Sequence, residues 1–223
     1  MSSRGYRFGT TCGRVVFVQT VRCKALRPEM MNRSGPLILA CTHLSHTDPF
    51  LLSIYIKSRP IDWLARIEFW KFRLGGWFME WMNAIPVRRF GVSANAVRTA
   101  INRLKAGRVV GICPEGGVAQ GSRSVMRGGT MKKGVCLISC RSGVPILPCV
   151  MLGTDKLNRV PPWIPPLRAK LWIGFGSKLI YPPANITNRR AVRDAMAEEL
   201  SREYQALFRE VKERFGLTEA DVP

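Results

Sequence analysis

Hydrophobic residues along the chain form short apolar runs that alternate with stretches of helical period. The runs predict strands at 14–21, 37–41, 61–66, 108–113 and 144–151, and one or two more within 171–180. The helical stretches predict helices from Pro49 to about residue 57, from a Ser93 cap to Gly107, and at 134–142 before Gly143. Because strands alternate with helices, we expect an α/β fold, a sandwich with a mostly parallel central sheet flanked by helices.

The C-terminal stretch from about 187 to 215 predicts a long amphipathic helix. Its apolar stripe consists of Val192, Met196, Leu200, Tyr204, Leu207, Val211 and Phe215. Such a stripe is expected to pack on the core. The chain has no internal repeat or low-complexity tail, and its 223 residues suffice for one full core. We therefore expect residues 1–223 to form a single domain.

The charge of the chain is strongly positive and narrows the choice of partners. The formal net charge is +20, from 35 Lys and Arg against 15 Asp and Glu, and the isoelectric point is near 10.6. A protein this basic is attracted to anionic surfaces, either phospholipid or nucleic acid. No apolar run approaches the roughly 18 residues of a membrane span, and 15–18 is too short for a secretory signal. We expect any membrane contact to be peripheral, on the cytoplasmic face.

The cysteines indicate a reducing compartment. They number seven, an odd count, and no two have Cys-x-x-Cys spacing. This pattern argues against a disulfide framework and against a structural zinc site, and we expect no metal. Most cysteines lie in apolar stretches, where cysteine behaves as a small core residue. Cys113 is the one candidate nucleophile, because it directly precedes the block Pro114-Glu115-Gly116.

Aromatic residues are concentrated between 61 and 89, where four of the six tryptophans lie beside Lys71 and Arg73. Amphipathic rings beside basic side chains suit the headgroup boundary of a membrane or the wall of an acyl-chain groove. An ordinary aromatic core explains the pattern equally well. Bases of nucleic acid also stack on such rings, but no recognisable nucleic-acid module accompanies them, so a nucleic-acid partner is not expected.

Both histidines of the chain, His43 and His46, lie in one short segment that ends in Asp48-Pro49. Histidine has the unperturbed pKa nearest neutrality, so this crowding beside an aspartate indicates proton transfer. On one helix, five positions would set His43 and Asp48 about 140° apart. Asp48 before proline is instead typical of an N-cap, with His43 on the loop after strand 37–41.

In such a strand-loop-helix, the Asp48 carboxylate can turn back to reach the His43 imidazole. The carboxylate would fix the tautomer of the ring and stabilise its charged form, leaving the other nitrogen to accept a proton from an alcohol. The alternative is that Asp48 only caps the helix and His43 is an ordinary polar loop residue.

Three later blocks follow the histidine segment in a fixed order. They are Ala84-Ile85-Pro86-Val87-Arg88-Arg89, Ile112-Cys113-Pro114-Glu115-Gly116 and Gly143-Val144-Pro145-Ile146-Leu147-Pro148. Together with His43-x4-Asp48 and its following Pro-Phe-Leu-Leu, they resemble the glycerolipid acyltransferases, the lysophosphatidate acyltransferase family. The resemblance covers about residues 36–155.

The resemblance implies a glycerolphosphate-acyltransferase-like fold and a transfer reaction. A fatty acyl group would pass from acyl-CoA or acyl carrier protein to the free hydroxyl of a lysophospholipid, in the first place 1-acyl-glycerol-3-phosphate, in phospholipid biosynthesis. His43 would be the general base and Asp48 its orienting partner. Arg89 would bind phosphate, Glu115 with Gly116 would belong to the acceptor site, and Lys132 corresponds to a family lysine. No metal or organic cofactor is implied.

The chain departs from the family pattern after Gly116. The family usually continues Glu-Gly-Thr-Arg, whereas Gly117 and Val118 stand here. Arg123 or Arg127 of the following glycine-rich loop is a candidate to replace the missing guanidinium. Two other functions stay open: a non-catalytic basic module that binds anionic lipid or nucleic acid, and an acyltransferase for a non-glycerol acceptor.

Overall fold

The computed structural model describes residues 6, 9–15, 21–56, 58–88, 94–156, 169–184 and 188–222. Its strands are β1 Val21–Leu26, β2 Leu37–Cys41, β3 Ile61–Arg66, β4 Ile85–Val87, β5 Val109–Ile112, β6 Ile146–Leu152 and β7 Ala169–Phe175. They form one sheet in the order β1-β7-β6-β2-β5-β3-β4. All neighbours are parallel except β6 and β7. The predicted α/β class with a mostly parallel sheet is confirmed.

Five α-helices connect and cover these strands. They are α1 Asp48–Tyr55, α2 Arg73–Trp81, α3 Ala94–Lys105, α4 Gly134–Ser142 and α5 Arg189–Phe215, and residues 9–15 are also helical. Short 3-10 turns occur at Pro28–Asn32, Ile67–Lys71, Gly121–Arg123, Val125–Arg127 and Glu219–Asp221. The helix predicted at 134–142 is confirmed and ends at Gly143, whose φ of 71° favours glycine. The predicted Ser93 cap lies outside the described residues.

The sheet is covered on both faces, which explains why its central strands are apolar throughout. Every residue of β2 and β6 is buried. Helices α3, α4 and α5 cover one face, and α1 with the Pro28–Asn32 turn covers the other. The predicted stripe of α5 packs on the first face, with Val192 and Phe215 partly buried at its ends. Tyr204, in the middle of that stripe, also donates a hydrogen bond to the Ala40 carbonyl (2.8 Å).

Of the strand predicted at 14–21, residues 14 and 15 are helical instead, residues 16–20 lie outside the described part of the chain, and β1 includes Val21. The helical segment packs on α1. The Arg14 guanidinium donates to the Ile54 carbonyl (2.7 Å), and a Cβ on Gly13 would lie only 2.9 Å from Ile54 Cδ1. At residues 14 and 15 a contact with a distant helix accompanies the helical conformation, and a short apolar run in the sequence does not encode such a contact.

A buried ion pair joins two strands at the edge of the sheet away from the loops that follow β2 and β5. Asp62, near the start of β3, is fully buried and accepts two hydrogen bonds of 2.5 Å from Arg108, just before β5. Arg103 lies 3.8 Å from the same carboxylate. This bidentate geometry compensates the buried charge.

Candidate active site

The candidate site lies where β2 and β5 end. These strands are parallel neighbours, with Ala40 opposite Ile112. The loop that carries His43 follows β2, and the block that carries Glu115 follows β5, so both loops emerge at one edge of the sheet. The carboxyl ends of parallel strands are where ligands bind in α/β folds.

Asp48 and His43 are in contact. Asp48 Oδ2 lies 3.2 Å from His43 Nδ1, and the Asp48 side chain is only 1% exposed. The same oxygen accepts hydrogen bonds from the backbone N–H groups of Leu44 (2.7 Å) and Ser45 (2.8 Å). These bonds hold the carboxylate against the ring. The contact favours a proton on Nδ1 and leaves Nε2 as the basic nitrogen.

Asp48 is not the N-cap of α1, as the sequence predicted, but lies one position further on. Thr47 is the N-cap of α1, Asp48 is its first residue and Pro49 its second. A side chain in the first turn can point back along the chain, because Cα–Cβ bonds tilt toward the helix N-terminus. The carboxylate therefore binds the preceding loop instead of the free N–H groups of its own helix.

Opposing effects act on the charge of the two histidines. Burial by itself lowers the pKa of His43, but the neighbouring Cys113 sulfur and the Asp48 carboxylate raise it above its usual value. The pKa of His46 is lowered by burial and by the charges of His43 and Arg66. The ring centroids of the two histidines are 6.0 Å apart. His43 alone of the pair is held by a carboxylate, whereas His46 is exposed.

Glu115 connects three loops. Its Oε2 accepts a hydrogen bond from the His43 backbone N–H (2.6 Å), and its Oε1 accepts from Ser124 Oγ (2.8 Å) and the Val125 N–H (3.0 Å). Burial raises the pKa of Glu115, and these hydrogen bonds oppose that rise only in part. Both carboxylate oxygens thus bind protein donors. The predicted role of Glu115 in the acceptor site stays a prediction.

Gly116 and Lys132 lie against one another. Gly116 has a φ of +72°, and a Cβ there would be 2.5 Å from Lys132 Cε and 2.7 Å from Lys132 Nζ. The Lys132 N–H donates to the Pro114 carbonyl (2.7 Å), which fixes this lysine beside the Glu115 block. The Gly116 N–H donates to the Cys113 carbonyl (3.0 Å). Only glycine fits this backbone conformation and this close approach.

His43, Gly116 and Lys132 line one cavity of about 830 Å³, which is largely apolar. Cys113 and Arg88 also line it, while Arg89 lies outside the described residues. Neither Arg123 nor Arg127, the candidates for the missing guanidinium, is among the residues that line this cavity, and Arg127 donates to Glu219 (2.8 Å). Among the residues that the structure describes, no group of three or more His, Cys, Asp and Glu side chains is arranged to hold a metal ion.

The aromatic segment divides between core and surface. Trp63 is buried and donates to Ser53 Oγ (2.9 Å), as an aromatic core predicts. Five apolar side chains further along are exposed, and we call them the exposed apolar surface: Ile67 (40%), Phe69 (39%), Phe72 (74%), Leu74 (84%) and Trp77 (65%). Phe69 also lines the cavity, so this surface continues into the site. None of the described helices is long and apolar enough to cross a membrane.

The fold and the site together define a class: an α/β protein with a carboxylate-bound histidine at the carboxyl edge of its sheet, opening on an apolar and basic cavity. The family model described as Acyltransferase matches residues 22–152, more than half of the chain. The chain belongs to the acyltransferase family, and the resemblance drawn from the four sequence blocks is confirmed.

Curated relatives carry related names. The 1-acyl-sn-glycerol-3-phosphate acyltransferase of Bacillus subtilis (strain 168) is 26% identical over 68% of this chain and 73% of its own length. The protein of the same name from Streptococcus pneumoniae is 26% identical over 82% of this chain. That alignment spans 64% of the relative's length, slightly less than two thirds.

A solved structure shows the same fold. It is the 1-acyl-sn-glycerophosphate (LPA) acyltransferase PlsC from Thermotoga maritima, which superposes with a TM-score of 0.66 at 20% identity. The match covers 97% of this chain and 80% of that chain.

Proposed function

We propose that this acyltransferase transfers a fatty acyl group from a thioester to the free hydroxyl of 1-acyl-sn-glycerol-3-phosphate in phospholipid biosynthesis. One observation carries the proposal: the His43 imidazole is held by the buried Asp48 carboxylate and lines a cavity that is both apolar and basic. The apolar lining suits an acyl chain, and the basic lining suits a phosphate. The names of the bacterial relatives support the same acceptor.

In the proposed reaction, His43 takes the proton of the acceptor hydroxyl as that oxygen attacks the thioester carbonyl. Asp48 stabilises the imidazolium that forms. The tetrahedral intermediate then expels the thiolate of the donor, and the His43 imidazolium returns the proton to that sulfur. Glu115 contributes by holding the His43 backbone, Arg89 binds the acceptor phosphate, and Lys132 binds a substrate phosphate. The donor is acyl-CoA or acyl carrier protein, and the reaction uses no other cofactor.

We also propose that the protein associates peripherally with anionic membranes through the exposed apolar surface. Lys71 and Arg73 lie within this surface and are exposed. Apolar side chains can enter the headgroup boundary while neighbouring cations attract anionic lipid. The surface leads into the cavity through Phe69, so an acceptor can move from the bilayer to His43 without entering water.

An acyl-transfer assay over a panel of acceptors tests the function. Lysophosphatidate, lysophosphatidylcholine and monoacylglycerol are each offered with acyl-CoA and with acyl carrier protein, and we expect phosphatidate to be the main product. His43→Ala should lower turnover by about 10²- to 10⁴-fold, the range for a lost general base. His46→Ala is the matched control and should be milder. No transfer to any acceptor, or equal tolerance of both substitutions, would contradict the proposal.

Vesicle cosedimentation tests the membrane contact. Binding to anionic vesicles should weaken as salt rises but keep a residual component, because screening leaves apolar burial intact. Replacing both Phe72 and Leu74 by Ala should remove the residual component. Tyr181→Ala is the matched control, since Tyr181 is also exposed (61%) but directly follows the bridge between Ile180 and Ile146, where β6 begins. Equal binding to anionic and neutral vesicles, or equal losses in both variants, would refute this contact.

A further inference from the structure

The charged side chains that line the cavity, among the described residues, are all basic. Five basic side chains line it, and no Asp or Glu does among the described residues: the five are Arg66, Arg88, Lys132, Lys133 and Arg193. Low-dielectric walls concentrate the field of such a set and draw anions into the cavity. The lining therefore indicates an anionic ligand.

The five cations lie on two sides of the cavity. Arg66 and Arg88 stand at the ends of β3 and β4, beside the aromatic segment. Lys132 and Lys133 directly precede α4, and Arg193 lies in the first turns of α5. Helices α4 and α5 are in contact, so these three side chains form a second cluster. Arg193 comes from outside all four sequence blocks.

The second cluster is incompletely neutralised by the protein. Lys133 Nζ lies 2.8 Å from Asp194 Oδ1. No described carboxylate lies within ion-pairing distance of Lys132 or Arg193. Within the described part of the chain, Arg193 Nε donates to the Arg189 carbonyl of its own helix (3.2 Å). The N-terminal end of α4 lies beside them, and its dipole disfavours cations by about 0.3–1 kcal/mol. A bound anion would reverse the sign of these interactions.

We propose that Lys132 and Arg193 form a phosphate-binding subsite at the start of α4 and α5, in which Arg193 supplies a guanidinium from the C-terminal helix. The subsite rests on the proposed function for its ligand. A substrate phosphate has two sources, the glycerol phosphate of the acceptor and the phosphates of a CoA donor. A guanidinium can bind either through paired N–H donors.

Ligand binding without turnover tests the subsite and separates the two sources. Glycerol 3-phosphate and adenosine 3′,5′-bisphosphate serve as probes, titrated calorimetrically into the full-length protein. The protein should bind at least one probe, and the probe bound identifies the source. Arg193→Ala should weaken that Kd by about tenfold or more, as expected for a lost charge-assisted contact. Arg190→Ala is the matched control, being an exposed arginine of the same helix turn outside the cavity lining.

Asp194→Asn gives a prediction of the opposite sign. It removes the carboxylate beside Lys133 and should lower the Kd of the bound probe by about two- to fivefold. The effect is small because the exposed ion pair between Lys133 and Asp194 is weak. If this region had a purely structural role, Arg193→Ala and Asp194→Asn would both weaken binding of the probe. The subsite is refuted if neither probe binds, if Arg190→Ala and Arg193→Ala lose affinity equally, or if Asp194→Asn weakens binding. Since no outcome depends on turnover, a failure of the proposed function in the acyl-transfer assay is distinguishable from a failure of the subsite.

Discussion

Asp48→Asn removes the charge that holds the proposed general base while keeping the size of the side chain. In the native protein, Asp48 Oδ2 faces three donors: the N–H groups of Leu44 and Ser45 and the Nδ1 of His43. Asparagine offers one neutral oxygen to these donors. Its NH₂ group would then take the place of Oδ1, which is buried and has no hydrogen-bond partner. The substitution therefore weakens three contacts and buries an unsatisfied donor.

The cost to stability follows from these contacts. A hydrogen bond to a charged group contributes about 1.5–3 kcal/mol and a neutral one about 0.5–1.5, so each donor loses about 1 kcal/mol. Because three donors share one oxygen, the losses do not add fully, and we expect the free energy of unfolding to fall by about 2–3 kcal/mol. For a chain of this length, that loss lowers Tm by about 4–12 °C.

The cost to activity is larger, because the charge matters most when the imidazolium forms. We expect kcat to fall by about 10²- to 10⁴-fold at a temperature where the variant is folded. The pH profile should also move. The carboxylate raises the pKa of His43, and a base works only when deprotonated, so activity is lost as pH falls through that pKa. Without the charge this pKa drops, and the acid limb of kcat/KM shifts to lower pH.

Asp62→Asn is the control for burial. Asp62 is the other fully buried aspartate whose partners are known, and it lies near the start of β3, away from His43. Its replacement should lower Tm by a similar amount and leave kcat and the pH limb of the folded protein unchanged. The reasoning fails if Asp48→Asn keeps near-normal kcat, or if both variants lose activity only in proportion to the unfolded fraction measured by circular dichroism.

Three further predictions concern residues other than His43 and Asp48. Arg89→Lys should raise the acceptor KM by about tenfold and leave the donor KM unchanged in steady-state kinetics, because a point charge lacks the bidentate fork; unchanged acceptor kinetics would contradict it. Gly116→Ala should displace Lys132 and raise the KM of the substrate whose phosphate Lys132 binds, whereas Gly107→Ala, with a similar φ of +74° but open space, should only lower Tm. Equal kinetics of the two variants would argue against the Lys132 contact. Maleimide should inactivate the enzyme through Cys113, which lines the cavity, and Cys113→Ser should protect turnover; equal inactivation of both proteins would contradict it.

The sequence pattern predicts the central strands well. These strands are buried on both faces of the sheet, and their sequences are therefore continuous apolar runs that are easy to recognise. Leu37–Cys41 and Ile61–Arg66 have the predicted bounds, and α4 does too. The pattern fails at residues 14 and 15, which belong to a helical segment that contacts α1. It also does not anticipate α2, whose only buried residue is Gly76 and whose Leu74 and Trp77 are exposed, so this helix does not pack on the core as an ordinary amphipathic helix does.

Within the site, local spacing predicts the contact between His43 and Asp48, since they are only five positions apart. It does not predict the hydrogen bonds of Glu115, which reach 72 residues back to His43 and forward to Ser124 and Val125. Arg193 is further still from the blocks in sequence. Its place in the cavity follows from the packing of α5 on α4, which no local pattern encodes.

The contact between Glu115 and the His43 backbone depends on the pairing of the strands that carry their loops. Its carboxylate is costly to bury, as its raised pKa indicates, and three protein donors compensate that cost only in part. Two of these donors belong to the loop at 124–125 and the third is the His43 backbone N–H, so Glu115, on the loop that follows β5, holds the backbone of the histidine. Parallel pairing of β2 and β5 keeps these loops adjacent. Burying the Glu115 carboxylate costs stability, but the buried carboxylate fixes the backbone of His43, the residue that we propose to remove the acceptor's proton.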